Sequence, residues 1–243
     1  TGASCSQDET PAGDGRTGVM AMTISTSRAE TNGEYDPLQY QKVYIYNSEG
    51  GLLRKYAAKD DIPERLELLS GTYRVAVEAG EEVPADFSKR FYKGEETFTV
   101  KPGETTNAEV VCKIANTVVE VKFDASIVEN LDPGYFVWIA GTDKFDEAEA
   151  ESGAVPALKF TDEGTGYYTL PAGTTSLAWM FRGTHTSGKE VEMENMLTEV
   201  KAGGKYVFTF RYSPDLPGYI DALLIRVDTE TEDKDDEIIF SPD

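Results

Sequence analysis

Long hydrophobic runs, cysteine, histidine and basic side chains are all scarce in this sequence, and each scarcity excludes a class of protein. No segment approaches the roughly 20 consecutive apolar residues that a transmembrane helix needs. Two cysteines and one histidine provide no Cys/His spacing for a metal site. Because 23 Lys and Arg face 44 Asp and Glu, the net charge is −21, which argues against nucleic acid as a partner.

The two cysteines lie in different surroundings. Cys5 belongs to a small, polar, Gly- and Pro-containing segment, residues 1–17, which indicates a flexible tether. Cys112 lies in an alternating run, residues 107–114, where it shares one strand face with Val110 and Ile114. A tail cysteine and a core cysteine are poor disulfide partners, so Cys112 is predicted to be a small buried hydrophobe.

Beyond the tether, almost every apolar segment is short, rich in β-branched or aromatic residues, and closed by Gly, Pro, Asn or Asp. This pattern is typical of all-β sandwich domains. The expected strands include Val19–Thr26, Lys42–Asn47, Thr97–Val100, Thr105–Ile114, Tyr167–Leu170, Leu197–Val200 and Lys205–Tyr212. Only Asp143–Glu151 has a helical character.

A weak internal repeat indicates two similar domains. Residues 66–79 and 168–181 each read as a strand, a turn with a Gly-Thr pair, and a second strand. Residues 97–103 and 197–203 each end in a glycine that precedes an apolar strand. The number of residues between the earlier and the later segment is similar in the two halves of the chain. These glycines suit turns that need a positive φ. The expected organisation is a tether at 1–17, an N-terminal β-sandwich at 18–115 and a C-terminal β-sandwich at 116–243.

No motif in the sequence points to catalysis. His185 is the single histidine and lies beside Ser187 in a polar segment typical of a solvated loop, without a nucleophile-elbow motif. There is no phosphate-binding glycine loop and no dinucleotide fingerprint. The acidic runs Asp143–Glu151 and Asp228–Glu237 lack the glycine of an EF-hand loop and are interpreted as solvated loops. We therefore expect no enzyme activity, no metal and no cofactor.

Both tryptophans are predicted to be core residues. Trp179 alternates with Leu177 and Phe181, as in a strand with one buried face. The strand around Trp138 is apolar on both faces, which predicts that it is covered on both sides. Neither is then a platform for a glycan.

Two segments carry a resemblance to a known family. Residues 91–106 read FYKGEETFTVKPGETT, and residues 110–116 read VVCKIAN. With these segments the chain resembles a group of Bacteroidetes surface lipoproteins that is similar to the fimbrillins, the pilus and adhesin subunits of those bacteria. The likeness is best over residues 17–124. It implies two consecutive transthyretin-like (Ig-like) antiparallel β-sandwiches, secretion, and lipid attachment at an N-terminal cysteine.

In this chain the lipidation site implied by the resemblance is Cys5; the alternative, which we favour less, is an ordinary free thiol in the tail. The small residues Gly2, Ala3 and Ser4 precede it, and small residues before a cleavage point suit signal processing. The resemblance also implies the outer membrane as the location, with a lipid anchor as the membrane attachment and the protein exposed at the cell surface. One acyl chain holds weakly, so stable anchoring needs several chains.

The first strand is a candidate for strand exchange. Met20, Met22 and Ile24 form its apolar face, and Arg28 follows shortly afterwards. Pilins similar to fimbrillins are cut after a basic residue beyond the first strand, and a neighbour's strand then refills the groove by β-augmentation. The corresponding cut here is at Arg28, and the possible donor strand contains Ile238, Ile239 and Phe240. The alternative, which we favour, is that the first strand stays in its sheet and Arg28 lies in an ordinary loop.

The sequence thus favours a lipid-anchored, surface-exposed cell-adhesion or fimbria-associated protein without catalytic activity. Its expected partners are other surface or pilus proteins, or ligands on host or bacterial surfaces. The alternative is a surface lipoprotein that binds a glycan or another ligand for nutrient capture. Unpaired edge strands favour the first function, and a cleft lined with exposed aromatic residues favours the second.

Overall fold

A computed structural model describes residues 16–27 and 35–212, together with the backbone of two further strands at 220–227 and 235–239. The strands in chain order are β1 (Thr17–Thr26), β2 (Gln41–Asn47), β3 (Leu52–Tyr56), β4 (Arg65–Leu69), β5 (Gly71–Gly80), β6 (Ala85–Asp86), β7 (Phe91–Val100), β8 (Thr105–Ile114), β9 (Thr117–Phe123), β10 (Phe136–Ala140), β11 (Ala157–Phe160), β12 (Gly164–Tyr168), β13 (Ser176–Thr184), β14 (Glu190–Thr198), β15 (Lys205–Tyr212), β16 (Ile220–Val227) and β17 (Asp235–Ile239). The prediction of an all-β chain is confirmed.

The strands belong to two compact units. The first unit runs to Glu81 and resumes at Phe91–Ile114, and the second contains Glu82–Arg90 and continues from Ala115. In the first unit, seven strands follow the order β3-β2-β5-β7-β8-β1-β4. In the second unit, one sheet has the order β11-β10-β13-β14 and the other has the order β17-β16-β15-β9-β12-β6. The short strand β6 joins the second unit although strands of the first unit flank it in sequence.

The two units repeat one topology. Taken in chain order, β1, β2, β3, β4, β5, β7 and β8 occupy the same relative places in their sheets as β9 to β15 do in theirs. In each unit the first strand runs parallel to the seventh and antiparallel to the fourth. The turn glycines Gly103, Gly173 and Gly203 have φ values of 71°, 82° and 79°, which confirms the predicted positive φ. The second unit adds the hairpin β16–β17 at the edge of β15.

Each unit buries its own apolar core. The first core takes residues from alternating positions, including Ala108, Val110 and Cys112 of β8, so the face predicted from the sequence is confirmed. The second core is more aromatic and is built around Trp179, with Phe181 and Phe210 in ring contact. A smaller apolar cluster lies on the opposite face of β10 and β13 and includes Trp138.

The helices are few and short. Helix α1 (Ala125–Asn130) starts at Asp124, whose carboxylate accepts a hydrogen bond from the Ser126 N–H at 2.9 Å. Helix α2 (Glu147–Ser152) covers only part of the segment predicted to be helical, because its cap is Asp146. Single turns of 3₁₀ helix occur at Pro37–Gln39 and Lys59–Asp61. Among the described residues, no helix has the length and hydropathy that crossing a bilayer requires.

Candidate functional site

The apolar face of β1 is part of the first core. Met20 is 1% exposed, and Met22 and Ile24 are partly buried against the same cluster. Gly18 allows the strand to lie close to the turn before β8, because a Cβ at this position would come within 2.2 Å of the Lys101 carbonyl oxygen. The three side chains named from the sequence are therefore brought together on one buried face.

The edges of β1 are paired to different extents. On one side β8 pairs with it in parallel from Val19 to Thr26. On the other side β4 pairs with it only from Thr17 to Ala21. Within the described residues, the remaining half of β1 therefore has one ladder partner, and its other edge carries backbone groups that could pair with an added strand.

Of the other residues proposed for processing and strand exchange, the structure describes only part. Strand β17 pairs through its backbone with β16, where Ile238 lies opposite Leu224 and Ile239 opposite Leu223. This puts β17 at the edge of the six-stranded sheet, whereas β1 lies in the seven-stranded sheet. Cys5, Arg28 and Phe240 lie outside the described residues, as do the side chains of Ile238 and Ile239.

His185 sits in the turn between β13 and β14. The Ser187 N–H donates to its Nδ1 at 3.0 Å, and the Ser187 Oγ lies 2.7 Å from the same nitrogen. The imidazole ring also packs 5.3 Å from the ring of Tyr212, centroid to centroid. Among the described residues the hydrogen bonds of the imidazole go to Ser187 and not to a carboxylate, so these contacts fix a turn and do not assemble a hydrolytic triad.

Cys112 is fully buried between the strands of the first core. Desolvation raises the pKa of its thiol to about 11. At neutral pH the thiol is protonated, and it behaves as the small hydrophobe that the sequence predicts.

The acidic run at 143–151 serves a local structural purpose. Glu147 of α2 accepts a hydrogen bond from Arg182 at 2.7 Å, and Arg182 also pairs with Glu192 on the neighbouring strand β14 at 2.7 Å. The bond to Glu192, followed by that to Glu147, raises the pKa of Arg182 above its ordinary value. In the described ranges, no group of three or more His, Cys, Asp or Glu side chains is arranged to hold a metal ion.

The outer face of β2 carries residues that the sequence analysis did not single out. On β2, Val43 and Ile45 point into the core while Tyr44 and Tyr46 are half-buried on the opposite face. Burial, and next the carboxylate of Glu78, raise the pKa of Tyr44, whose hydroxyl donates to Glu78 at 3.4 Å. The alternation of QKVYIYN predicts that the two tyrosines share one face of the strand. It does not predict which residues of the neighbouring strands lie beside them.

On β10, both faces are covered as predicted. Val137 and Ile139 are buried in the main core of the second unit, and Trp138 and Ala140 are buried in the smaller cluster on the other face. Trp179 is also fully buried, so both tryptophans are confirmed as core residues. The indole N–H groups of both lack a hydrogen-bond partner among the described residues.

Two solved structures show the same overall fold with little sequence identity. A fimbrial assembly protein from Parabacteroides distasonis is 13% identical, with a TM-score of 0.53, and the match covers 92% of this chain and 98% of that one. A candidate cell adhesion protein from Bacteroides eggerthii is 10% identical, with a TM-score of 0.51, and the match covers 87% of this chain and 96% of that one. At this identity the likeness concerns the fold alone.

The comparison with curated proteins finds no match. A family model does match, over residues 16–242, which is nearly the whole chain. Its description is a domain of unknown function, and the chain therefore belongs to the family DUF4493.

Proposed function

We propose that this protein is a cell-adhesion or fimbria-associated protein displayed at the bacterial surface, that it has no catalytic activity, and that a lipid on Cys5 holds it there. The observation that carries this proposal is the fold shared with a fimbrial assembly protein, with 92% of this chain and 98% of that one aligned. The likeness in fold extends over almost the whole of both chains and is not confined to one part of this chain. The resemblance of residues 91–116 to surface lipoproteins supports the same function.

The arrangement of strands suits a protein that works through its surfaces. In the described strand order, β3, β4, β11 and β14 are edge strands of their sheets. We take the two units to be consecutive transthyretin-like sandwiches joined near residue 115. In this proposal the rigid β-framework holds loops and edges in place, and contacts with other surface or pilus proteins are made there.

Within this function, we infer that β1 stays in its own sheet. Met20 is buried, and β1 forms ladders with two neighbouring strands, so its removal would expose a long stretch of core. This arrangement suits an assembly or anchor component better than a subunit that polymerises after its first strand is cut away.

Surface display is tested in cells of a Bacteroidetes species that express the tagged protein from its own locus. We expect an external protease to remove the tag signal from intact cells, and we expect radiolabelled palmitate to be incorporated. The Cys5→Ala variant should lose the label and leave the membrane fraction, whereas a Cys112→Ala variant should keep both. A wild-type protein that is protected from external protease, or that stays unlabelled, would contradict the proposal.

Strand retention is tested on the purified protein by limited trypsin digestion, mass spectrometry and size-exclusion chromatography at high concentration. We expect either no cut at Arg28 or a cut that leaves a monomer with β1 still bound. A clean cut followed by growth of oligomers would show strand exchange instead. A glycan array with the same preparation tests the alternative function in nutrient capture. Saturable binding to one class of glycan would support that alternative.

A further inference from the structure

The two units carry a similar combination of side chains on the outer faces of corresponding strands. In the first unit this combination consists of Tyr44 and Tyr46 on β2, Lys55 on β3 and Arg74 on β5, here called the tyrosine face. The Lys55 Nζ lies 5.6 Å from the ring centroid of Tyr44, and the Arg74 Cζ lies 4.2 Å from that of Tyr46. Each ring therefore has a cation over it.

The second unit has a comparable set, in which a phenylalanine and a tryptophan take the place of the two tyrosines. Phe136 and Trp138 lie two residues apart on β10, Lys159 comes from β11 and Arg182 from β13. The Lys159 Nζ lies 4.1 Å from the ring centroid of Phe136 and 5.0 Å from that of Trp138. Arg182 is the cross-strand neighbour of Phe136 in the antiparallel pair. Corresponding strands thus supply two aromatic residues, one lysine and one arginine in both units, but the lysine lies opposite the first aromatic residue in the first unit and opposite the second in the second unit.

In the second unit this face is covered by residues 141–156, the connection between β10 and β11, here called the cover segment. Its Phe145 ring packs 6.4 Å from the Trp138 ring, centroid to centroid. Two residues later, Glu147 places a carboxylate oxygen 2.7 Å from the guanidinium of Arg182. Phe145 and Ala150 of the cover segment are buried in the same apolar cluster as Trp138. The molecule itself shows which chemistry fits such a face: an acidic peptide with an aromatic side chain near a carboxylate.

In the first unit the connection between β2 and β3 provides no equivalent cover. The connection between β2 and β3 is a tight turn at residues 48–51, which is too short to fold back over the sheet. Leu52, the cross-strand neighbour of Tyr46, is 53% exposed. The side chain of Arg74 is 40% exposed, and its ion pair with Glu95 at 2.9 Å lies at the surface, where such pairs contribute little.

The charge of this face is opposite to that of the chain. Lys42, Lys55, Arg74 and Lys93 lie on it, against the carboxylates of Glu78 and Glu95. The chain as a whole has a net charge of −21. A cationic face on so acidic a protein attracts acidic ligands, which the rest of the surface repels.

We propose that the tyrosine face is a docking site for an acidic peptide segment of a partner protein, which makes the same kinds of side-chain contact as the cover segment makes in the second unit. An aromatic side chain of the partner packs on Tyr44 and Tyr46, and a carboxylate two residues away pairs with Arg74. Tyrosine in place of Phe136 and Trp138 gives each ring a polar hydroxyl group, and that of Tyr44 donates to Glu78. This proposal does not depend on the function proposed above.

The test uses the full chain and a synthetic peptide with the sequence of residues 143–152, DKFDEAEAES, carrying a fluorophore for anisotropy titration. We expect saturable binding that weakens as salt is raised, since the contact is partly ionic. Arg74→Ala and Tyr46→Ala should each weaken binding about tenfold, and Tyr46→Phe should bind as the wild type does. In the peptide, replacing the phenylalanine by alanine, or the first glutamate by glutamine, should give a similar loss.

Arg65→Ala is the matched control, because it removes one exposed arginine from another sheet edge of the same unit and leaves the tyrosine face intact. Circular dichroism verifies that every variant is folded. No saturable binding, or equal binding by wild type, Arg74→Ala and Tyr46→Ala, would overturn the proposal. Binding of polygalacturonate at the same residues without binding of the peptide would also overturn it, and would identify an acidic glycan as the occupant.

Discussion

Truncation of Met20 gives a quantitative test of how firmly the first strand is held. Met20 is 1% exposed and packs in the core of the first unit, so Met20→Ala removes buried methylene and thioether groups and leaves a cavity. Substitutions of this kind cost about 2–5 kcal/mol. We expect roughly 3 kcal/mol, because the strands on both sides of β1 restrict the collapse of the cavity.

The assay is urea unfolding followed by far-UV circular dichroism. With a slope of about 2 kcal/mol/M, a loss of this size lowers the unfolding midpoint by about 1.5 M. Circular dichroism is needed because Trp138 and Trp179 both belong to the second unit, so tryptophan fluorescence does not follow the first.

Two variants serve as controls for this prediction. Met20→Leu keeps the volume and should cost less than about 1.5 kcal/mol. Thr23→Ala changes an exposed position on the same strand and should cost less than about 1 kcal/mol. If Met20→Ala were no more destabilising than Thr23→Ala, β1 would not be an integral part of the core, and the inference that it stays in its sheet would be wrong.

Three further outcomes follow from particular contacts. In a Cys5→Ser protein, the Cys112 thiol should react with Ellman's reagent at pH 8 only after denaturation, since burial raises its pKa to about 11; rapid reaction of the native protein would contradict this. Gly94→Ala should lower the melting temperature, because its Cβ would lie 2.7 Å from a backbone oxygen of β8; an unchanged melting temperature would show that the strands yield. Burial raises the pKa of Glu120, but hydrogen bonds from two lysines lower it by more, so that the pKa lies below its ordinary value of 4.5. Its contribution to stability is therefore complete above that pH and is lost as the pH falls, so Glu120→Gln should flatten the acid side of the stability profile.

Much of the framework could be predicted because alternation and turn residues report directly on half-buried strands. Thr105–Ile114 and Lys205–Tyr212 have the predicted bounds, since each alternates clearly and is closed by turn residues. The strand around Trp138 was predicted to be covered on both sides, and the cover segment accounts for it.

Other strands were predicted too short for identifiable physical reasons. Only Thr97–Val100 of β7 was expected, but β7 begins at Phe91, because Gly94 allows a close approach to β8 that no pattern reveals. Leu197–Val200 was expected where β14 spans Glu190–Thr198, because its exposed glutamates hide the alternation. Tyr167–Leu170 was expected where β12 spans Gly164–Tyr168, and its glycines do not read as a strand.

The tyrosine face could not be predicted at all. It depends on the register that places Lys55 beside Tyr44 and Arg74 beside Tyr46, and these residues come from three separate parts of the chain. A sequence pattern gives the face on which a residue lies, but it does not give its neighbour on the next strand. The repeat of the same side chains in the second unit becomes visible only after both sheets are aligned.

The parallel pairing of β1 with β8 has a mechanical consequence. These are the first and last strands of the first unit, and they lie side by side from Val19 to Thr26. A pull on the two ends of this unit acts along the strands in opposite directions, so the rungs of that ladder are strained together in shear. In an antiparallel hairpin pulled from its open end, the rungs would instead break one after another. The first unit is therefore arranged to resist stretching between its ends.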